Sequence, residues 1–184
     1  MCIRDSVLCA LGMAAKLSGR PDKVLEYAER IKGAKGRMDL AGQTASGAAI
    51  YIDYAHTPDA LENVIRALRP HTKHQLHVVF GCGGDRDAGK RPIMGQIAND
   101  LADVVYVCDD NPRTENAENI RQQIMTSCPK GQNIGDRALA IKKAVAGLRQ
   151  GDILIVAGKG HETGQYINGE VHHFSDYEEV MKNL

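Results

Sequence analysis

The chain has 184 residues, 43% hydrophobic and 25% charged, with 23 Lys and Arg balancing 23 Asp and Glu; this is the usage of one folded domain with something to spare, and it argues against disorder or a fibre. Zero net charge and a pI near 7.0 lack the cationic footprint of a nucleic-acid binder, and no apolar run approaches the roughly 18 residues of a membrane span. The five cysteines (Cys2, Cys9, Cys82, Cys108, Cys128) are odd in number and without CxxC spacing, so neither a disulfide framework nor a zinc site is expected, and a reducing cytoplasm is the simplest home.

Residues 1–6 fit neither a natural start nor the helix behind them and read as an artefact of sequencing or gene assignment, with the chain beginning in the middle of something larger. Two short helices are predicted over 7–17 and Pro21–Ile31, around a turn at Ser18-Gly-Arg-Pro21. Two helices alone cannot bury a core. Gly33, Gly36 and the basic Lys32, Lys35 and Arg37 then read as a linker, which places a boundary near residue 36.

Strand and helix signals alternate from there. Strand Ala48–Asp53 precedes a helix opened by Thr57, Pro58 and Asp59, with Leu61, Val64, Ile65 and Leu68 at i, i+3, i+4 and i+7. Strand Leu76–Phe80 pairs with helix Pro92–Leu101, strand Val104–Cys108 with helix Ala117–Ser127, and a short strand near Asn133 with helix Arg137–Arg149. Strand Asp152–Ala157 follows, then a hairpin through Tyr166–Glu170 and a last helix behind the capping box Ser175–Glu178. Repeated βα units with apolar strands predict an α/β, Rossmann-like fold, a mostly parallel sheet with helices on both faces. Ligands of such sheets sit at the carboxyl ends of the strands.

Four strand exits there carry chemistry. In Asp53-Tyr-Ala-His-Thr-Pro-Asp59 a carboxylate can accept ribose hydroxyls; alternatively Asp53 and His56 only tie down the turn. Gly84–Lys90 nearly matches the phosphate loop GxxxxGK[ST], but Arg91 replaces the Ser/Thr, and Asp85 and Asp87 would repel phosphate. Arg86 in that loop can reach into the cleft with a fork suited to a carboxylate; a flexible glycine loop with solvated charges is the alternative. In Asp109-Asp-Asn-Pro-Arg113, Pro112 stiffens the turn, so that Asp110, Asn111 and Arg113 are presented in fixed directions and suit a zwitterion; an Asx-turn with a surface arginine is the alternative. In Gly158-Lys-Gly-His-Glu162, Glu162 can receive an ammonium and Gly158 permits close backbone contact. His71, His74, His77, His172 and His173 form no metal-ligand spacing, and surface or strand-face positions are expected for them. Arg86, Arg113, Asp110 and Glu162 on one sheet edge describe a pocket for a small molecule with carboxylate and ammonium groups.

Six segments occur here in the order seen in Mur ligases: Gly36-Arg-Met-Asp39, Asp53–Leu61, Val79–Asp87 with Gly89-Lys-Arg-Pro92, Asp110-Asn-Pro-Arg113, Asp136-Arg137 and Ala157–Glu162. Over about residues 7–184 the sequence resembles the C-terminal domain of that family's diaminopimelate-adding branch. The resemblance implies an ATP-dependent amide ligase of peptidoglycan synthesis, with Mg²⁺ and ATP used by the longer parent. ATP would phosphorylate the D-glutamate side-chain carboxyl of a UDP-N-acetylmuramoyl-dipeptide, and the amine of the diamino acid would attack the acyl phosphate. Carried over by motif, Arg86, Asp110, Asn111, Pro112, Arg113, Gly158 and Glu162 would bind meso-diaminopimelate, and Arg37 and Asp53 would touch ATP on domain closure.

The resemblance also implies what is missing. No phosphate loop, carbamylated lysine or magnesium ligand of the family's central domain occurs, no catalytic residue is assigned in this chain, and residues 7–32 resemble only the closing helices of that ATPase domain, which makes 1–36 its remnant and 37–184 the C-terminal domain. The chain alone is expected to be inactive, without nucleic-acid or membrane partners. A stand-alone amino-acid-binding module, a lysine-adding ligase and a folylpolyglutamate synthase relative are the alternatives; Arg113, absent from lysine-adding relatives, favours diaminopimelate.

Overall fold

The computed structural model describes residues 3–30 and 33–184. Met1 and Cys2, together with Ile31 and Lys32 of the expected second helix and linker, lie outside the described residues. Helix α1 (Ile3–Ser18) begins four residues earlier than expected, so the backbone of Ile3–Ser6 continues the helix rather than departing from it. Helix α2 (Pro21–Glu26) is shorter than predicted and ends in a 3₁₀ turn over Ala28–Arg30. The two helices pack on each other, yet α2 buries no residue.

The six-stranded sheet runs in the order β1 (Asp39–Gln43), β2 (Ala49–Asp53), β6 (Ile153–Ala157), β3 (Leu76–Phe80), β4 (Val104–Val107), β5 (Gln132–Asn133). All neighbours are parallel except β1, which pairs antiparallel with β2 and has a register shift between Leu40 and Gly42. Strand β1 is the element the sequence reading missed. Asp39-Leu-Ala-Gly-Gln43 has no β-branched or aromatic residue, and its pairing is supplied by β2 rather than by its own propensity.

Helix α3 (Pro58–Leu68) starts as its sequence dictates, with the Thr57 hydroxyl accepting from the Ala60 N–H, and it buries Leu61, Val64, Ile65 and Leu68. Asn116 caps α5 (Ala117–Met125) and Asp136 caps α6 (Arg137–Ala146), each accepting a backbone N–H at 3.0 Å. Helices α5 and α6 end earlier than predicted, and α4 (Lys90–Leu101) begins two residues before Pro92. Hairpin β7–β8 (Gly164–Ile167, Glu170–His173) and helix α7 (Asp176–Lys182), capped by Ser175, close the chain.

Period-2 alternation divides the core. Leu76, Val78, Phe80, Ile153 and Ile155 face helices α3, α4 and α5, whereas Ile50, Ile52, Val79, Leu154 and Val156 face α6 and α7. Strand β6 returns between β2 and β3, so the connections leaving β3 and β6 go to opposite faces and open a crevice at their carboxyl ends.

Two buried polar groups stabilise the frame. The Arg137 guanidinium, fully buried, donates to both oxygens of the equally buried Asp176 at 2.7 Å and to the Ala157 carbonyl at 2.9 Å, joining α6, α7 and the end of β6. At the opposite sheet edge, Asp152 accepts from the backbone N–H of Gln75 and of Arg149 and bonds the His74 ring. His77, buried on β3, keeps both ring nitrogens without a hydrogen-bond partner, and Asp152 lies 3.5 Å away. Burial holds its pKa below 6.5.

Removing one partner of a buried ion pair leaves the other charge uncompensated. Arg137→Met or Asp176→Leu is therefore expected to cost about 3–5 kcal/mol in urea unfolding, and the double replacement less than the sum. His77 is neutral when folded and protonates more readily when unfolded, so stability is complete above about pH 6.5 and falls as the pH drops below it. Thermal melts at about pH 7.5 and about pH 5.5 should show a smaller acid loss for His77→Phe than for the parent chain.

Candidate functional site

Strands β2, β6, β3 and β4 are neighbours and parallel, which sets the four polar turns side by side on one edge. The closest assembly joins the turn after β4 to the turn after β6. Asn111 uses both ends of its amide: Oδ1 accepts from Lys159 Nζ at 2.7 Å and from the Tyr166 N–H at 3.1 Å, and Nδ2 donates to Glu162 at 3.2 Å. Asp110 lies 3.4 Å and Glu162 3.7 Å from the Lys159 ammonium. Gly158 has φ +115°, and a Cβ there would meet the Asp110 carboxylate at 2.9 Å, so only glycine brings the two turns this close. Asp110, Asn111, Gly158 and Glu162 thus share one locus.

Hairpin β7–β8 completes that locus, which its sequence did not signal. The Arg113 N–H donates to the Tyr166 carbonyl, the Asn168 N–H to the Arg113 carbonyl at 2.7 Å, and the Gln165 side chain to the Asp110 carbonyl. Arg113 adopts φ +54°, a conformation L side chains rarely take, and these hairpin bonds support it. Its guanidinium donates to the Gly84 carbonyl at 2.8 Å and reaches Asn111 O at 3.4 Å, half-buried between the β3 exit and the Asp-Asn-Pro-Arg turn. Pro112 is buried in the same turn.

Arg86 differs from the expectation that it reaches into the cleft. It is exposed, and its guanidinium donates to the carbonyl of its own neighbour, Asp85. The residue of this loop that does turn inward is Arg91. It is buried, donates to both Glu115 oxygens at 2.8 and 2.9 Å and to Gln123, and so clamps the glycine loop to the segment behind Arg113. Asp109 is paired with Arg121, which also bonds Glu118 and Asn133.

Asp53 holds the turn after β2. One oxygen accepts from the Met38 N–H at 2.7 Å and the other from the Ala55 N–H at 2.8 Å, and burial raises its pKa in spite of these bonds and the Arg37 charge. Arg37 is exposed and stacks over the Tyr54 ring at 4.4 Å. Behind it, a Cβ on Gly36 would meet the His161 nitrogen at 2.3 Å, so the segment before β1 rests directly on the β6 exit. Arg37 and Asp53 are therefore adjacent to each other and to the turn carrying Glu162.

Lys159, Arg91 and the hairpin carbonyls are the site residues the sequence reading missed. A lysine between two glycines at the end of a wholly apolar strand is the one local signal that could have marked Lys159. The thiols are not reactive groups here: burial pushes those of Cys82 and Cys108 up to about 12. Among the described residues no group of three or more His, Cys, Asp and Glu side chains is placed to hold a metal ion, and no helix is long and apolar enough to cross a membrane. A cavity of about 800 Å³ does open on the chain, but at the amino ends of the strands, lined by residues such as Tyr51, His71, Lys73, His74 and Arg149.

An α/β domain with charged side chains gathered at the exits of parallel strands has counterparts among known proteins. The model of the Mur ligase, glutamate ligase domain matches residues 36–160. A UDP-N-acetylmuramoyl-L-alanyl-D-glutamate–2,6-diaminopimelate ligase of Mesorhizobium japonicum is 57% identical over 180 residues, covering 98% of this chain and 37% of the relative. The protein of the same name from Caulobacter vibrioides is 49% identical over the same shares. A solved structure of a ligase of that name superposes with a TM-score of 0.76 at 42% identity, over 96% of this chain and 37% of the other. A UDP-N-acetylmuramate-alanine ligase of Thermotoga maritima, at 19% identity and TM-score 0.62, shares the fold. The chain belongs to the Mur ligase family, and it spans a little over a third of the length of the curated relatives it matches.

Proposed function

We propose that this chain is the amino-acid-binding part of an ATP-dependent ligase that adds meso-diaminopimelate to UDP-N-acetylmuramoyl-L-alanyl-D-glutamate. The observation that carries the reading is the meeting of Asp110, Asn111 and Glu162 beside Arg113, in a chain 57% identical to a ligase of that name. Diaminopimelate ends in an α-ammonium and a carboxylate. The carboxylates of Asp110 and Glu162 and the oxygen-rich Asn111 turn receive the ammonium. Arg113, released from the Gly84 carbonyl, receives the distal carboxylate, with Arg86, two residues beyond Gly84, to assist.

Held by that end, the other amine is free to attack the acyl phosphate of the D-glutamate side chain. The new amide C–N bond forms as the C–O bond to phosphate breaks, and ATP ends as ADP and phosphate. ATP and Mg²⁺ belong to the longer ligase. Exposed Arg37, stacked on Tyr54, is placed to touch a nucleotide phosphate, while Asp53, with each oxygen holding a backbone N–H, orients the Arg37 turn. The chain's role is to bind and orient the diamino acid. Residues 1–36 act as the closing helices of an ATPase domain and 37–184 as the domain that docks on it. Exposed Leu8, Met13, Leu17, Leu25 and Tyr27 on the first two helices support a face covered in that assembly. Such a ligase works in the cytoplasm, where nucleotide-linked precursors are made.

Lysine lacks the distal carboxylate and would leave Arg113 unpaired, a mismatch worth roughly 10⁴–10⁵ in discrimination when the site is closed. In a titration of the chain followed by NMR, diaminopimelate should shift the amides of Asp110, Asn111, Arg113 and 158–162 at millimolar concentration, with lysine weaker. Arg113→Ala should abolish the difference. Equal binding of both amino acids, or shifts confined to the other sheet edge, would overturn the reading. Exchanged for the matching part of the Mesorhizobium japonicum relative, the chain should support ATP-dependent ligation of diaminopimelate, and Arg113→Ala should raise its KM steeply without changing that for ATP.

A further inference from the structure

The buried cation of the pocket has a part to play beyond holding the turn together. Lys159 is fully buried, a position lysine occupies almost only when paired. Its ammonium donates at 2.7 Å to Asn111 Oδ1 and at 2.7 Å to the Gly164 carbonyl, with Asp110 at 3.4 Å and Glu162 at 3.7 Å. Every oxygen to which the ammonium of a ligand would donate a hydrogen bond is thus tied to the same nitrogen. The hairpin is tied there as well, through Gly164.

We propose that Lys159 is a specificity-determining positioning residue: its ammonium gathers Asp110, Asn111 and Glu162 and neutralises one of the two carboxylates of the pocket. This rests on the reading of the pocket as a diamino-acid site. Of the buried and half-buried side chains at this locus, two carboxylates, Asp110 and Glu162, stand with two cations, Lys159 and Arg113, while Arg86 is exposed and bonds only its own loop, so the enclosed charges balance. The zwitterionic end of diaminopimelate, also neutral, preserves that balance. The bare side-chain ammonium of lysine adds a charge with no counterpart, which is costly where solvent is excluded. Without Lys159 the same pocket would carry one net negative charge and would match lysine instead. The distal carboxylate is therefore read twice, by the fork of Arg113 and by the charge count that Lys159 sets.

The test is the NMR titration of the full chain with diaminopimelate and with lysine, comparing the parent with Lys159→Met and Lys159→Arg. Lys159→Met is expected to weaken diaminopimelate by roughly tenfold to a hundredfold and to weaken lysine less, so that the ratio of the two affinities moves toward lysine by about tenfold. Lys159→Arg keeps the cation and should keep the ratio. A purely structural lysine would weaken both ligands in equal proportion in either variant, and that result, or an unchanged Lys159→Met, would overturn the proposal. Should Lys159→Met fail to fold, Lys159→Gln, which keeps a hydrogen-bond donor without the charge, carries the same comparison. If the parent chain itself does not distinguish the two amino acids, the pocket reading fails and this inference with it. Selective binding by the parent that persists in the uncharged variants sinks the inference alone.

Discussion

Strand β6 entering the middle of the sheet is the constraint on which the rest depends. Ile153–Ala157 is buried on both faces and hydrogen-bonds β2 on one side and β3 on the other, so it belongs to both halves of the core. Its exit cannot move without disturbing the packing on both faces of the sheet. The chain has placed a polar segment there, Gly158–Glu162, and anchored the last strand carbonyl on the Arg137–Asp176 pair. A rigid apolar strand ending in a buried ion pair is a firm base from which to hold a lysine and a glutamate in fixed positions.

Polarity inside the crevice is tolerated because nearly every group has a partner. Asn111 satisfies a cation, a backbone N–H and a carboxylate at once. Arg91 does for the glycine loop what Lys159 does for the opposite turn. A network completed before any ligand arrives keeps its geometry when one binds, which lowers the ordering cost of binding. Arg113 and Arg86 are the exceptions, held only by carbonyls, and those are the cations free to exchange a backbone oxygen for a carboxylate.

Much of this was legible in the residues. The Thr57-Pro58 start and the spacing of Leu61, Val64, Ile65 and Leu68 state helix α3 locally, and the run Ile153–Ala157 states a strand buried on both faces. The four turns were readable because glycine, proline and charge cluster at strand ends. Strand β1 was not, because its conformation comes from a neighbour rather than from its own residues. The same holds for Lys159 and the hairpin: a lysine reads as exposed until the fold shows what surrounds it, and backbone carbonyls carry no sequence signal. Arg86 and Arg91 illustrate the limit in one loop. The sequence singles out Arg86 for the pocket and passes over Arg91, and only packing reveals that Arg91 is the buried one and Arg86 lies outside.

The seam between the Asp-Asn-Pro-Arg turn and hairpin β7–β8 has a consequence for how the family can vary. Arg113 exchanges backbone bonds with Tyr166 and Asn168, while Gly164 and Gln165 bond to Lys159 and Asp110. Adding or deleting a residue between Gly158 and Asn168 would shift that frame by one position, and the alternation of the strand would turn each partner to the wrong side. A surface hairpin ordinarily tolerates changes of length. This one is a measuring stick, and divergence among sequences that keep the site must proceed there by substitution alone.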